Sequence, residues 1–183
     1  MEQSIIIAGF GGQGVLLCGR LLANLFMICN KQVTWYPCYG SEMRGGAVNC
    51  EIVVSDEEVT SVHKDKCDIL ISLNDTSYNR FINQVKPAGT VIVNSSLVKN
   101  IKNDDDINFI EVPITDIALQ IGNAKVANMV ALGVLSKLYN DVDFSKLRTI
   151  LEKNFSQEKQ HLVDLNMKSF FAGANYDIQK GLV

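Results

Sequence analysis

Close cysteine pairs are missing from this sequence. Its five cysteines, Cys18, Cys29, Cys38, Cys50 and Cys67, form no C-x-x-C pair. Iron–sulfur clusters and structural zinc sites rest on such pairs, so the chain is expected to hold no cluster and no metal of its own. An odd, dispersed set also argues for mostly buried thiols in a reducing cytoplasm. Histidine is scarce: there are two, His63 and His161. His63 lies beside Lys64 and Asp65 in a polar connection and reads as solvated; His161 reads as a helical residue at the surface. With no Ser/His/Asp pattern, hydrolase chemistry is excluded and no catalytic residue is assigned. An excess of cations is lacking as well. The net charge of −3 leaves no footprint for nucleic acid. The acidic triplet Asp104 to Asp106 reads as a solvated turn. The first apolar run follows Glu2, has no Lys or Arg before it, and is too short to export or span; no membrane is expected.

Charge is thin in one region in particular. Of 17 basic and 20 acidic side chains, six fall between Met1 and Val54: Glu2, Arg20, Lys31, Glu42, Arg44 and Glu51. With 47% hydrophobic residues and a mean hydropathy of +0.10, such a half is either core or surface covered by a partner.

What is present in that half is an ordered series. An apolar run, Ile5 to Ala8, leads into Gly9, Gly11, Gly12, Gln13 and Gly14, then an apolar segment to Cys29, then Gln32 to Tyr36. Strand, glycine turn, helix and strand open a dinucleotide-type βαβ unit. Free N–H groups at the helix start would receive an anion. Gly11, Gly12, Gln13 and Gly14 are therefore the candidate binding residues, for a phosphate or another anion, or else a turn that only packs a helix on a sheet. Tight NAD binding is not expected. The second strand ends Thr34-Trp35-Tyr36, without the acid that would hold the ribose. A P-loop is excluded because no Lys–Ser/Thr pair follows the glycines. A second glycine-bearing loop follows, Tyr39 to Gly46, holding Glu42 and Arg44. Arg44, one of four arginines, either pairs locally with Glu42 or presents its guanidinium to a partner or anion. Tyr39, Glu42, Met43 and Arg44 are the candidate partner-interface residues, since Tyr, Met and Arg anchor interfaces.

The two loops together, GFGGQGV and TWYPCYGSEMRGGAVNCEIVVSDEEV, with KVANMVALGVL at Lys125 to Leu135, resemble the γ subunit of 2-oxoacid:ferredoxin oxidoreductases. The EMRGG wording leans toward the 2-oxoglutarate type. The resemblance implies an accessory role in coenzyme A-dependent oxidative decarboxylation of a 2-oxoacid. It implies α, β and ferredoxin-like partner subunits, with ferredoxin reduced through them. Thiamine diphosphate, magnesium and iron–sulfur clusters would lie on those partners, and the isolated chain would be inactive. The alternative is a free-standing nucleotide- or small-ligand-binding Rossmann-like protein.

The rest of the chain alternates. Ala47 to Ser55 reads as a strand with one apolar face, Val48, Cys50, Ile52 and Val54, and one mixed face, as for an edge or a half-covered strand. Cys67 to Leu73, Thr90 to Asn94 and Phe109 to Val112 read as further strands. Asn74 and Asp75 are positioned to cap a helix from Thr76 to Val85, and Pro87 to Gly89 reads as a turn. After Pro113 the chain reads as helical: Thr115 to Ile121, Ala124 to Tyr139, Phe144 to Asn154, and from Gln157 on. Gly19 inside its helix suggests close approach of another backbone, and Gly133 allows tight packing of its own helix. This pattern predicts one α/β domain over residues 1–183. It is an open, mostly parallel Rossmann-like sheet with helices on both faces and a helical C-terminal third.

Overall fold

Ile5, Ile7 and Ile6, Ala8 point to opposite sides of one strand, and each set is buried in its own core. That requires layers on both faces of a central sheet. The computed structural model shows them, and describes residues 2–39, 47–59, 61, 63–102 and 104–178. The strands are β1 (Glu2–Phe10), β2 (Gln32–Tyr39), β3 (Ala47–Ser55), β4 (Cys67–Ser72), β5 (Val85–Asn94) and β6 (Asn108–Val112). They form one sheet in the order β2-β3-β1-β4-β5-β6. β1, β4, β5 and β6 pair parallel, and β3 is antiparallel to both β1 and β2. Five strands therefore run one way and β3 alone is reversed.

The reversed strand corrects two expectations. β3 is not an edge strand: it lies between β1 and β2, and both of its faces are buried. The true edge is β2, and for that reason Pro37 does not end it. A proline lacking an N–H is accommodated where that side of the strand has no partner, and β2 continues to Tyr39. Pro87 to Gly89 likewise lies inside β5 instead of forming a separate turn. The β4–β5 register shifts between Cys67 and Ile69, and Ala88 adopts a φ of 60°.

The helices are α1 (Val15–Ile28), α2 (Asp75–Phe81), α3 (Ile114–Ile121), α4 (Ala127–Ser136), α5 (Leu147–Asn154) and α6 (His161–Ala174). Asn74 caps α2 as expected, its side chain accepting from the Ser77 N–H at 2.9 Å. α1, α4, α5 and α6 contribute to the larger core, against Ile5, Ile7, Ile52, Ile71 and Ile92. α2 covers the other face through Tyr78 and Phe81. Every residue of α4 from Ala127 to Leu135 is buried, so the C-terminal third packs as helix on helix around it. The close approach at Gly133 is to the backbone of α6. At Gly19 it is instead to the side chains of Cys50 and Trp35. Among the described residues no helix is long and apolar enough to cross a membrane.

Candidate functional site

The glycine turn lies at the same end of the sheet as the last residue of β2 and the first of β3. The turn follows β1, whose last residue, Phe10, pairs with Ala47 of β3; Tyr39 of β2 pairs with Val48. The described end of β2 and start of β3 therefore lie beside the glycine turn. Glu42, Met43 and Arg44 lie outside the described residues, and for Tyr39 the backbone pairing is what the structure gives.

In the turn, Gly12 and Gly14 have φ of 99° and 73°, values that L side chains rarely adopt. Gly14 is the residue before α1 and provides no side-chain cap, and the first turn of α1 has no acidic residue. The positive end of a 14-residue helix thus lacks a side-chain anion, which suits a phosphate or another acidic group. A cleft of about 280 Å³ opens there, lined by Phe10, Gly11, Gly12, Gly14, Val15, Leu16 and Val48. Its walls are apolar apart from the backbone.

Gln13 is not free for a ligand. Its Oε1 accepts from the Phe10 N–H at 2.7 Å and from Asn74 Nδ2 at 2.9 Å. Behind it, the buried Asn94 donates to the Leu73 carbonyl at 2.9 Å and to Thr115 Oγ1 at 2.8 Å, and its Oδ1 accepts from the Thr115 N–H. Side chains at the C-terminal ends of β4 and β5 thus tie the turn to α2 and α3. The third stretch closes the same site from the other side. Asn128, 2% exposed at the start of α4, donates to the Gly14 carbonyl at 3.2 Å, while its Oδ1 finds no partner. A side chain at Gly14 would collide with that amide. Asn94 escaped notice in the sequence because a strand-ending Asn carries no pattern of its own.

The polar face of β3 holds a second arrangement that sequence reading missed. Glu51 is nine-tenths buried and accepts from, or pairs with, His63 Nδ1 at 2.6 Å. His63 is therefore not simply solvated, although its ring stays 60% exposed. Cys38 is half-buried on the same face. Burial and the Glu51 carboxylate push its thiol up, against the opposing pull of Asn49 and Arg80, which is not the setting of a reactive thiolate. Burial also pushes Cys50 and Cys67 up to about 12. Three of the five cysteines are buried, and no group of three or more His, Cys, Asp or Glu side chains converges on a metal position among the described residues. These dispersed thiols do not fit a cluster. The dinucleotide reading fails on topology too, since the strand beside β1 on the β2 side is the reversed β3.

The pyruvate ferredoxin/flavodoxin oxidoreductase family matches residues 4–176. The chain belongs to this family. It is 32% identical over 185 residues to the 2-oxoglutarate synthase subunit KorC of Methanocaldococcus jannaschii, covering 100% of this chain and 96% of that one. It is 35% identical over 176 residues to the ketoisovalerate oxidoreductase subunit VorA of Methanothermobacter marburgensis, over 96% of this chain but 36% of the relative; the chain spans about a third of that curated relative's length. The γ subunit of a keto/oxoacid ferredoxin oxidoreductase from Geobacter sulfurreducens superposes with a TM-score of 0.79 at 28% identity, covering 93% of this chain and 95% of that one. The chain is thus of the γ-subunit type, and the glycine turn, the β2–β3 loop and the start of α4 are the three stretches that carried the resemblance.

Proposed function

We propose that this chain, as one γ-type domain over residues 1–183, is an accessory subunit of a cytoplasmic 2-oxoacid:ferredoxin oxidoreductase, and that the end of its sheet carrying the glycine turn, with Tyr39, Glu42, Met43 and Arg44, faces the partner subunits. The observation that supports it most is convergence. Three separated stretches meet at one end of the sheet, Phe10 to Gly14, Tyr39 with Val48, and Asn128, and among the described residues no acid–base constellation of a self-sufficient enzyme accompanies them. The partners would be α, β and ferredoxin-like subunits. Thiamine diphosphate with magnesium, when bound there, supplies the carbanion chemistry of decarboxylation, and clusters there carry electrons to ferredoxin. This chain's own contribution is to hold and orient. The uncapped start of α1 and the apolar cleft fit the phosphate end and an apolar portion of coenzyme A, with Gly11, Gly12 and Gly14 supplying backbone only.

The full-length correspondence with KorC supports 2-oxoglutarate as the oxoacid, and the VorA relative names a branched-chain alternative. Reconstitution tests the reading. Arg44→Ala, with a melting temperature matched to the parent, is expected to weaken assembly or turnover by about 2 kcal/mol, the loss of an interface arginine. A variant that assembles and turns over like the parent would place the interface elsewhere. Initial rates with 2-oxoglutarate against 2-oxoisovalerate decide the substrate.

A further inference from the structure

α1 has a second outward feature, at the opposite end from the glycine turn. Arg20, Asn24, Met27 and Ile28 recur at helical spacing on one stripe. Met27 and Ile28 are 60% and 50% exposed, although the helix is otherwise apolar and core-facing. α5 runs beside this stripe, and between the two helices lies a groove of about 420 Å³ with the buried Ile150 at its base and Lys153 and Thr149 on its far wall. Arg20 belongs to the charge-poor first 54 residues.

The charge that lines this groove is positive. Lys153 is the charged residue of its lining, and Arg20 stands one turn before Asn24. Neither makes an ion pair among the described residues, whereas Arg148 on α5 is held by Asp164 and Glu152. Among the described residues no carboxylate lines the groove. An exposed apolar stripe beside an unpaired cation fits an occupant with an apolar ridge and an acidic flank, and a groove bounded by two helices has the shape that receives a third. Two copies pairing groove to groove do not fit, because that contact would bring Lys153 of one against Lys153 of the other. The groove is also short. α5 has 8 residues and is therefore about 12 Å long, room for roughly two turns of a docked helix. That is far less contact than the roughly 800 Å² per partner of a free-standing interface, so the occupant is one already held nearby by a larger assembly.

We propose that the α1–α5 groove seats an acidic amphipathic helix of a neighbouring subunit, its apolar ridge on Met27, Ile28 and Ile150 and a carboxylate at Lys153. This rests on the reading of the chain as part of an oxidoreductase complex, and adds a contact remote from the glycine-turn edge. In the purified complex, carbodiimide cross-linking joins amines to carboxylates in direct contact. Peptide mapping is expected to show Lys153 linked to an Asp or Glu in a helix of another subunit. Met27→Asp and Lys153→Glu should each weaken association about tenfold with unchanged melting temperature, while Thr149→Ser should not. Lys153 left unlinked, linked to a second copy, or a Met27→Asp chain that assembles like the parent would overturn the proposal. If Met27→Asp assembles normally while Arg44→Ala does not, the groove assignment alone falls. If the parent chain never associates with another subunit, both readings fall.

Discussion

Gln13 Oε1 and Asn74 Nδ2 lie 2.9 Å apart, and this bond joins the glycine turn to the start of α2. The same oxygen satisfies the Phe10 N–H, so one side chain fixes the backbone on both sides of the candidate site. Gln13→Ala leaves a part-buried N–H and an amide without their acceptor, a cost of about 2 kcal/mol. That corresponds to a fall of roughly 4–8 °C in melting temperature for a domain of this size. Gln13→Glu keeps both acceptors and should recover part of the loss. It also places an anion beside the start of α1, so it should bind coenzyme A more weakly than the parent in the assembled complex. Calorimetry of the three chains, and titration of the three complexes, separate these effects.

The α4–α6 crossing is set by two glycines. A Cβ on Gly133 would overlap the Phe170 carbonyl, and one on Gly173 the Val130 carbonyl. The obstruction is backbone on a buried helix, so it cannot rotate away. Gly133→Ala and Gly173→Ala are each expected to destabilise by about 3 kcal/mol, against a helix-propensity gain of about 1 kcal/mol. Urea unfolding should show both, with the double variant losing less than the sum because one separation of the helices relieves both contacts.

Lys31, just after α1, is bridged to Asp56 at 2.7 Å and Asp141 at 2.6 Å, tying the end of β3 to the α4–α5 connection. Lys31 holds the Asp56 carboxyl down at about 2 and the Asp141 carboxyl below its ordinary range. Carboxyls whose folded pKa is depressed stabilise the fold above their unfolded value, near 3.9, and lose that contribution as pH falls through the folded value. Lys31→Met should therefore be less stable than the parent at neutral pH. The difference should persist down to roughly pH 4 and close as pH approaches about 2. A difference that stays constant across this range would show that the ion pairs contribute nothing.

Thiol accessibility follows from burial. Cys18, Cys50 and Cys67 are buried, and Cys29 and Cys38 are not. Burial pushes the Cys18 thiol well above its ordinary range and holds Cys50 and Cys67 near 12. A disulfide reagent should consume no more than two thiols in the native chain, Cys29 and, more slowly, Cys38, and five after denaturation. Rapid consumption of more than two would contradict the packing around β3 and β4.

The layers were legible because they are written in local pattern. The Ile5 to Ala8 run, the alternation of Ala47 to Ser55 and the Asn74 cap each encode their element without help from distant residues. Strand order was not. The reversal of β3 depends on which neighbour pairs with Ile52 and Cys50, and both faces of an interior antiparallel strand can carry polar residues when another segment covers them. That is how Glu51 came to be paired with His63, twelve residues away. At the site, the glycines and Asn128 were visible as residue types. The Gln13–Asn74–Asn94 network was not, because its members come together only when β1, β4 and β5 lie side by side.

The central claim is that this chain works as one subunit of a larger oxidoreductase, through the end of the sheet where Gly11 to Gly14 follows β1 beside Tyr39 and Ala47. The most direct test is native, anaerobic purification under mild conditions, followed by mass measurement and cofactor assay of the same sample. The account predicts a particle far larger than the 20.2 kDa chain, carrying thiamine diphosphate and iron and reducing ferredoxin with a 2-oxoacid and coenzyme A. The chain separated from it should retain no iron and no activity. A lone 20.2 kDa monomer that binds NAD, or an isolated chain with stoichiometric iron, would contradict it.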